Sequence, residues 1–290
     1  MGIFHYDFML RALVGALVIG LAAPALGIYL VQRRLALIGD GIGHVALTGV
    51  GAGLLLNRSP VLVAVIAATL GAIAIEWVRS RGRTSGDLAL ALLFYGGIAG
   101  GVLLVGLSDV GSASLNSYLF GSLLTTSPAD LVTILVLGGV VLVAMLALRP
   151  ALFAVCHDEE YARVSGLPVR ALNLLIAVGT AWTVTIAMRA VGVLLISALM
   201  VVPVAAAQQV TRGFRSTMTA AMALGLFAAG AGIWVAATAD TAPGATVVLL
   251  AIGSFLVVAL AAAGWRTLRR RSRPVTMPAA EPHEPEVVLR

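Results

Sequence analysis

Two residues have the types and the spacing of a metal-binding pair. Asp40 and His44 lie four positions apart in the stretch LIGDGIGHVALTG, so a helix would place both side chains one turn apart on the same face. A carboxylate oxygen and an imidazole nitrogen can both bind one divalent transition metal. Two ligands are too few for tight capture, although a two-fold axis between two copies would bring together two of each. The pattern therefore predicts a transient divalent-metal site.

A second interpretation of the same pair needs no metal. Asp40 could cap the start of a helix just after Arg34, and His44 could be a core histidine whose hydrogen bonds are satisfied inside the protein. The surrounding glycines fit both interpretations, because they permit close approach between helices.

The pair lies in a chain with the composition of a membrane protein. Of its 290 residues, 60% are hydrophobic and only 11% are charged, and the mean hydropathy is +1.03. These values exclude an ordinary soluble domain, in which about 25% of residues are charged. Ionisable groups at membrane depth are costly and normally face a cavity or a partner. A functional role for the pair is therefore the default hypothesis, and the interpretation without a metal stays open at this point.

Nine apolar stretches are long enough to be membrane-spanning helices, which need about 20 residues each. They cover residues 8–32, 36–56, 60–78, 88–107, 128–148, 171–189, 191–210, 217–237 and 245–265. Runs rich in glycine or broken by proline leave a range of roughly eight to ten spans open. The sequence thus predicts an all-α polytopic membrane protein. Its membrane domain covers residues 1–265, with a cytoplasmic segment at 149–170, and a disordered tail over 266–290 is basic and then rich in Pro and Glu.

The net charge of +6 is explained by orientation in a membrane rather than by a nucleic-acid partner. All 19 basic residues are arginines, and most lie in short clusters on one side of the predicted bilayer. Basic residues concentrate in cytoplasmic loops. The arginine clusters therefore predict an odd number of spans, an N-terminus outside and a cytoplasmic C-terminus.

The chain lacks the motifs of several enzyme classes. Without a single lysine it has no G-x-x-x-x-G-K-[ST] loop, so we do not expect it to hydrolyse ATP. A membrane hydrolase with His44 as its base stays open as a rival, although no G-x-S-x-G elbow accompanies it. A secondary, proton-coupled metal transporter that uses Asp40 and His44 without an ATPase is the closer alternative. Glu76, at the cytoplasmic end of the third span, is interpreted as the partner of Arg79.

One cytoplasmic connection is longer than a turn and predicts a short helix. Residues 149–170 read RPALFAVCHDEEYARVSGLPVR, in which the acids Asp158, Glu159 and Glu160 precede a stretch of about two helical turns that ends at Gly166 and Pro168. The helix dipole favours acids at a helix N-terminus. Such a helix could be a lever that passes a partner's motion to the flanking spans, and the alternative is an ordinary loop with a capped helical turn.

Three ordered segments together resemble the permease subunits of zinc/manganese ABC importers. The first is YLVQRRLALIGDGIGHVALTGVGAG at residues 29–53, and the second is SYLFGSLLTTSPAD at 117–130. The third joins HDEEYARVSGLPV at 157–169 with AVGVLLISALMVVPVAAAQ at 190–208. The resemblance covers most of residues 8–265.

The resemblance implies a fold and a mechanism. The chain would be a type II ABC importer permease that works by alternating access as a homodimer in the plasma (inner) membrane of a prokaryote. Asp40 and His44 of both copies would coordinate the passing metal, which would be zinc or manganese, with iron as a further candidate. No cofactor would stay bound. The partners would be an extracellular or periplasmic metal-binding protein and a dimer of cytoplasmic ATP-binding subunits, on which ATP is hydrolysed.

The same resemblance gives the cytoplasmic helix a role. Residues 158–166 would be the coupling helix that docks in a groove of the ATPase subunit, with Glu160, Ala162 and Gly166 at the family's signature positions and Asp158 at the start. Glu159 departs from the proline that family members often have there, which leaves the local turn open.

Overall fold

The computed structural model describes residues 7–80, 86–108, 117–121 and 127–271, and the regular elements within these ranges are α-helices. A long helix coincides with each of the nine predicted spans, with ends that differ by a few residues. Two short helices form the predicted cytoplasmic segment. In chain order the elements are α1 (Asp7–Gln32), α2 (Ile38–Leu55), α3 (Pro60–Ser80), α4 (Gly86–Gly106), α5 (Pro128–Ala147), α6 (Arg149–His157), α7 (Glu159–Val164), α8 (Val169–Ala190), α9 (Val193–Val210), α10 (Phe214–Ala239) and α11 (Pro243–Arg271).

The lengths of these helices confirm the all-α membrane class. Among the described residues, seven helices are long and apolar enough to cross a bilayer, and α4 and α9 contain the shorter apolar stretches Leu90–Gly106 and Leu195–Val210. The number that cross therefore stays a prediction. Helix α11 continues to Arg271, so residues 266–271 extend the last helix, and the remainder of the predicted tail lies outside the described residues.

The turn between α1 and α2 is fixed by backbone hydrogen bonds. Arg34 adopts a left-handed conformation with φ 58°. The Arg34 N–H donates to the Val31 carbonyl at 3.1 Å, and the Leu35 N–H donates to the Leu30 carbonyl at 2.8 Å. This is the Schellman pattern, which satisfies carbonyls that a helix end leaves without partners. The turn sets the direction in which α2 leaves and therefore the placement of Asp40.

Helix α2 lies in the interior of the bundle. It packs against α3, α4, α8 and α9. In α1, α2 and α8, 72%, 67% and 72% of the apolar span is buried inside the chain, compared with 33% in α3, 28% in α5 and 22% in α11. The helix that holds the predicted metal pair is thus enclosed by protein, whereas the peripheral helices present their apolar side chains outward.

Buried hydroxyls in α8 are satisfied within their own helix. Thr180, Thr183 and Thr185 have no exposed surface. Each donates to the carbonyl four residues earlier, at 2.8, 2.8 and 2.7 Å. Such bonds let polar side chains lie inside a membrane protein without an unmet donor. Their donors are therefore already used within α8.

Candidate functional site

Asp40 lies in the first turn of α2. The residue at the capping position is Leu37, and it makes no side-chain hydrogen bond, so Asp40 is not the cap that the second interpretation requires. The positive end of the helix dipole favours a carboxylate at this place. The ion pairs formed among the described residues do not include Asp40. Its carboxylate is therefore available to a cation.

A cleft opens beside Asp40 between α2 and α4. It has a volume of about 370 Å³, and its walls are formed by Leu37, Asp40, Leu90, Ala91, Phe94 and Tyr95. Asp40 is the one charged residue in this lining, and the others are aliphatic or aromatic. A carboxylate in apolar surroundings attracts a cation more strongly than it would in water. The cleft is therefore suited to a cation that has lost part of its hydration shell.

His44 lies one turn further along α2 and is buried. The residue is only 6% exposed. Its ring contacts the ring of Phe94 edge-on, with ring centroids 4.5 Å apart. Within the described part of the chain, its Nδ1 has no hydrogen-bond partner. A buried nitrogen without a partner is costly and calls for an explanation. This open nitrogen is compatible with the predicted role of His44 as a metal ligand, and it does not fit a core histidine with satisfied hydrogen bonds.

The position of His44 is set by a close contact between α2 and α4. A Cβ added at Gly97 would lie 2.6 Å from the carbonyl carbon of His44 and 2.9 Å from its Cβ. The Thr48 hydroxyl donates to the Gly97 carbonyl at 2.8 Å, which ties the same two helices together. Only glycine allows this approach, so Gly97 determines how deeply the turn that carries His44 can pack against α4.

The structure brings the two predicted ligands together on one turn. Asp40 lines the cleft, and Phe94 both lines the cleft and contacts the His44 ring. A carboxylate oxygen and an imidazole nitrogen form a donor set that suits divalent transition metals. No cluster of three or more His, Cys, Asp or Glu side chains occurs among the residues that the structure describes. Within that part, one copy of the chain offers the two candidate ligands.

The five predicted coupling residues lie on α7 and at its two ends. The Asp158 carboxylate accepts a hydrogen bond from the Tyr161 N–H at 2.9 Å and thereby caps the helix. Gly166 ends the helix with φ 81°, and the Leu167 N–H donates to the Ala162 carbonyl at 3.0 Å. Ala162 is fully buried and Glu160 is exposed. Ala162 therefore anchors the helix to the protein, and Glu160 lies on its free face.

Among the predicted coupling residues, Glu159 is bonded to a buried arginine. Its Oε2 accepts a hydrogen bond at 3.0 Å from the Arg33 guanidinium, whose side chain is only 8% exposed. Arg33 also donates to Asn173 Oδ1 of α8 at 2.6 Å. Arg163, which is exposed, lies 3.3 Å from the other Glu159 oxygen. The sequence left the local turn at Glu159 open. In the structure Glu159 is the first residue of α7 and pairs with Arg33 and Arg163.

The single cysteine lies close to this cluster but is not a thiolate. The Cys156 thiol contacts the Tyr29 carbonyl at 4.0 Å. Burial raises the pKa of the Cys156 thiol to about 11, with nearby Arg33 acting in the opposite direction. The thiol therefore stays protonated at neutral pH, and metals bind the thiolate. Cys156 has a packing role in this structure.

Sequence reasoning recognised some polar contacts and missed others. The pairing of Glu76 with Arg79 is confirmed by two hydrogen bonds of 3.0 Å. Arg33 was interpreted as a topology marker, and Asn173 was not singled out. A lone amide near the start of an apolar span was a signal for Asn173. The contact with Phe94 had no comparable signal, because aromatic residues are common in membrane helices.

Comparison with known proteins finds a family model, curated relatives and a solved structure that match most of this chain. The sequence profile of the ABC 3 transport family matches residues 5–262. The chain is 29% identical over 252 residues to the high-affinity zinc uptake system membrane protein ZnuB of Haemophilus influenzae, a match that covers 87% of this chain and 97% of that protein. It is 31% identical over 251 residues to the manganese transport system membrane protein MntC of Halalkalibacterium halodurans, covering 86% and 85%. Among solved structures, PsaBC from Streptococcus pneumoniae in complex with Fab superimposes with a TM-score of 0.81 at 28% identity, covering 93% of this chain and 97% of that one.

Proposed function

This chain belongs to the ABC 3 transport family, and on that basis we propose that it is the membrane permease subunit of an ATP-driven importer for a divalent transition metal. Zinc and manganese are the cargoes named for two of its relatives, and a third relative is named for chelated iron. Carboxylate and imidazole ligands suit all three metals, and selection in the cell depends on ligand geometry and metal availability.

The observation that carries the proposal is the Asp40–His44 pair on the enclosed helix α2. The carboxylate is placed at a cleft wall and the buried imidazole nitrogen has no partner among the described residues. In the import cycle, Asp40 attracts the cation and His44 supplies a nitrogen ligand as the ion passes. Transport requires that the site release its ion, and a ligand set of two from each copy suits release better than storage.

The cleft supports a homodimer in which the second copy completes the site. On α4, beside the cleft, Leu92 and Tyr95 are 67% and 70% exposed. A second copy packed on this face, related by a two-fold axis, contributes its own Asp40 and His44 to a shared path. Alternating access then corresponds to the two copies moving against each other around that path.

The orientation proposed from the arginines places α6 and α7 in the cytoplasm and the N-terminus outside, with nine spans in a type II permease. On α7, Tyr161 and Val164 are 67% and 88% exposed. Large apolar side chains on a short helix outside the bilayer fit a surface that a protein partner covers. That partner is the separate ATP-binding subunit, and a metal-binding protein delivers the ion on the opposite side.

Uptake of metal by the reconstituted complex tests this function. We expect the Asp40→Asn and His44→Gln variants, assembled with the ATPase in proteoliposomes, to lose most ATP-dependent uptake of zinc and manganese, because each removes one of two ligand types. The control is Asp240→Asn, the same chemical change at an exposed helix end where Asp240 has φ 51°. It should transport normally, since asparagine tolerates that conformation.

Two results would contradict the proposal. One is wild-type uptake by Asp40→Asn and His44→Gln. The other is uptake by the isolated chain driven by a proton gradient without any ATPase, which would favour the secondary transporter instead.

A further inference from the structure

We propose that Arg33 is a positioning residue that transmits movement of the coupling helix α7 to α2, the helix that holds Asp40 and His44. The inference rests on the proposed function, because it concerns how ATPase movement reaches the metal pair. The side-chain hydrogen bonds of Arg33 go to Glu159 and Asn173.

Arg33 joins three separate elements at one guanidinium. It immediately follows α1, and its two terminal nitrogens donate to Glu159 Oε2 on α7 at 3.0 Å and to Asn173 Oδ1 on α8 at 2.6 Å. Glu159 and Asn173 lie 126 and 140 positions further along the chain. One side chain therefore fastens the coupling helix and the span that follows it to the turn before α2.

The burial of Arg33 makes this connection specific. Its side chain is 8% exposed, whereas that of Arg163, the other cation paired with Glu159, is 69% exposed. The positive charge of Arg79 also acts on Arg33. Both carboxylate oxygens of Glu76 accept hydrogen bonds from Arg79 and neutralise its charge. A buried charge left without its partner is strongly unfavourable. Arg33 must therefore follow Glu159 when α7 moves, or lose the partner that offsets its burial.

The path from Arg33 to the predicted metal pair is a single short turn of the chain. Arg33 itself donates its N–H to the Tyr29 carbonyl at 3.1 Å, and the next two residues complete the Schellman turn. The Ile38 N–H, at the start of α2, then donates to the Leu35 carbonyl at 3.0 Å. Asp40 lies in the first turn of α2. A short turn with backbone hydrogen bonds at Arg33, Arg34, Leu35 and Ile38 thus separates the ion pair from the helix end that carries Asp40.

The arrangement gives a direct mechanical consequence. When ATP binding draws the two ATPase subunits together, each displaces its docked α7, and the Glu159–Arg33 pair pulls the turn at residues 33–37. Helix α2 then shifts relative to α4, and the cleft is lined by residues of both helices, Asp40 and Phe94 among them. The site changes its shape in step with the nucleotide state.

The test separates coupling from folding by comparing metal uptake with ATP hydrolysis in the same proteoliposomes. The variants are Glu159→Gln, Arg33→Gln and the charge exchange Arg33→Glu/Glu159→Arg, all assembled with the ATPase. We expect Glu159→Gln to lower the metal transported per ATP about tenfold, a coupling change of ordinary size for linked sites, while ATP hydrolysis and the melting temperature of the complex change little. The charge exchange should recover most of the loss, because it restores the pair in reverse order.

The matched control is Arg170→Gln, which removes an exposed cytoplasmic arginine at the start of α8 that forms no ion pair with the described residues. It should leave the ratio of metal to ATP unchanged. If Arg33→Gln does not assemble, Glu159→Gln and the charge exchange still give the answer.

The inference is overturned if Glu159→Gln transports as much metal per ATP as the wild type. It is also overturned if the exchange behaves no better than Glu159→Gln alone, since Arg33 would then have only a structural role. Failure of the proposed function looks different, because the wild-type complex itself would not import metal with ATP.

Discussion

At the scale of single residues, the imidazole of His44 is placed by what it touches rather than by its own hydrogen bonds. Phe94 contacts its ring, Gly97 lies against its backbone, and Nδ1 has no partner among the described residues. A coordinating group must be held by packing so that it meets the ion in the correct geometry. Changes in this packing should therefore affect transport.

The contact at Gly97 provides a direct test at this scale. We expect Gly97→Ala to force α4 away from α2, because the new Cβ would lie 2.6 Å from the His44 carbonyl carbon and 2.7 Å from the Val45 nitrogen. Overpacking of this kind costs about 1–3 kcal/mol. Metal uptake and the melting temperature should both fall. The neighbouring Gly96→Ala, whose Cβ would meet nothing within 4 Å, should leave both unchanged, and an equal loss in the two variants would contradict the packing explanation.

At the scale of elements, α7 owes its structure to its ends and its anchor. A helix of 6 residues is too short to be stable alone. The Asp158 cap begins it, Gly166 ends it, Ala162 fixes it against the protein, and Glu159 pairs with Arg33. These interactions hold a short helix in place, because both of its ends and its buried residue are fixed.

Replacement of Gly166 tests this element. We expect Gly166→Ala to destabilise the end of α7 by about 1–2 kcal/mol, the cost of a left-handed conformation for a residue with a Cβ. The cost is conformational and not steric, because a Cβ there would meet nothing within 4 Å. Co-purification of the ATPase subunit should weaken. Gly166→Asn should retain more binding, since asparagine tolerates this conformation.

The control for this prediction is Gly139→Ala in α5, where a Cβ also meets nothing within 4 Å and the backbone is helical. It should bind the ATPase as the wild type does. Equal binding by Gly166→Ala and the wild type would show that the left-handed helix end is unimportant for docking.

At the scale of the whole molecule, burial divides the helices into an inner and an outer group. Helices α1, α2 and α8 form the inner group, and α3, α5 and α11 present most of their apolar span outward. The cleft that Asp40 lines lies beside the exposed side of α4. The candidate site thus joins a buried histidine on an inner helix to a cleft at the side of α4.

Crosslinking tests where the second copy lies. Cys156 is the one cysteine in the sequence, so a Cys156→Ser background has no thiol. We expect Tyr95→Cys in that background to give a covalent dimer with a short bifunctional maleimide, because Tyr95 is 70% exposed beside the cleft. The matched control is Leu260→Cys, since Leu260 is 73% exposed on the peripheral helix α11. Equal crosslinking at the two positions, or none at Tyr95→Cys, would argue against a dimer on the α4 face.

The sequence alone determined the features that depend on neighbours along the chain. The bilayer requires long apolar helices with every backbone group bonded, so composition located the helices to within a few residues. Helical spacing likewise placed Asp40 and His44 on one face and paired Glu76 with Arg79. The acids at residues 158–160 and the stop signals Gly166 and Pro168 predicted the ends of α7. All of these features depend on residues that lie a few positions apart in the sequence.

Tertiary structure decided the features that join distant parts of the chain. The Arg33–Glu159 and Arg33–Asn173 bonds, the contact of His44 with Phe94, and the approach of Gly97 form between separate helices. Apolar periodicity is weak guidance here, because helices surrounded by lipid are apolar on nearly every face and associate through close packing and a few polar contacts. Which of the many arginines is buried, and which face of α2 meets the cleft, are therefore set only when the helices pack.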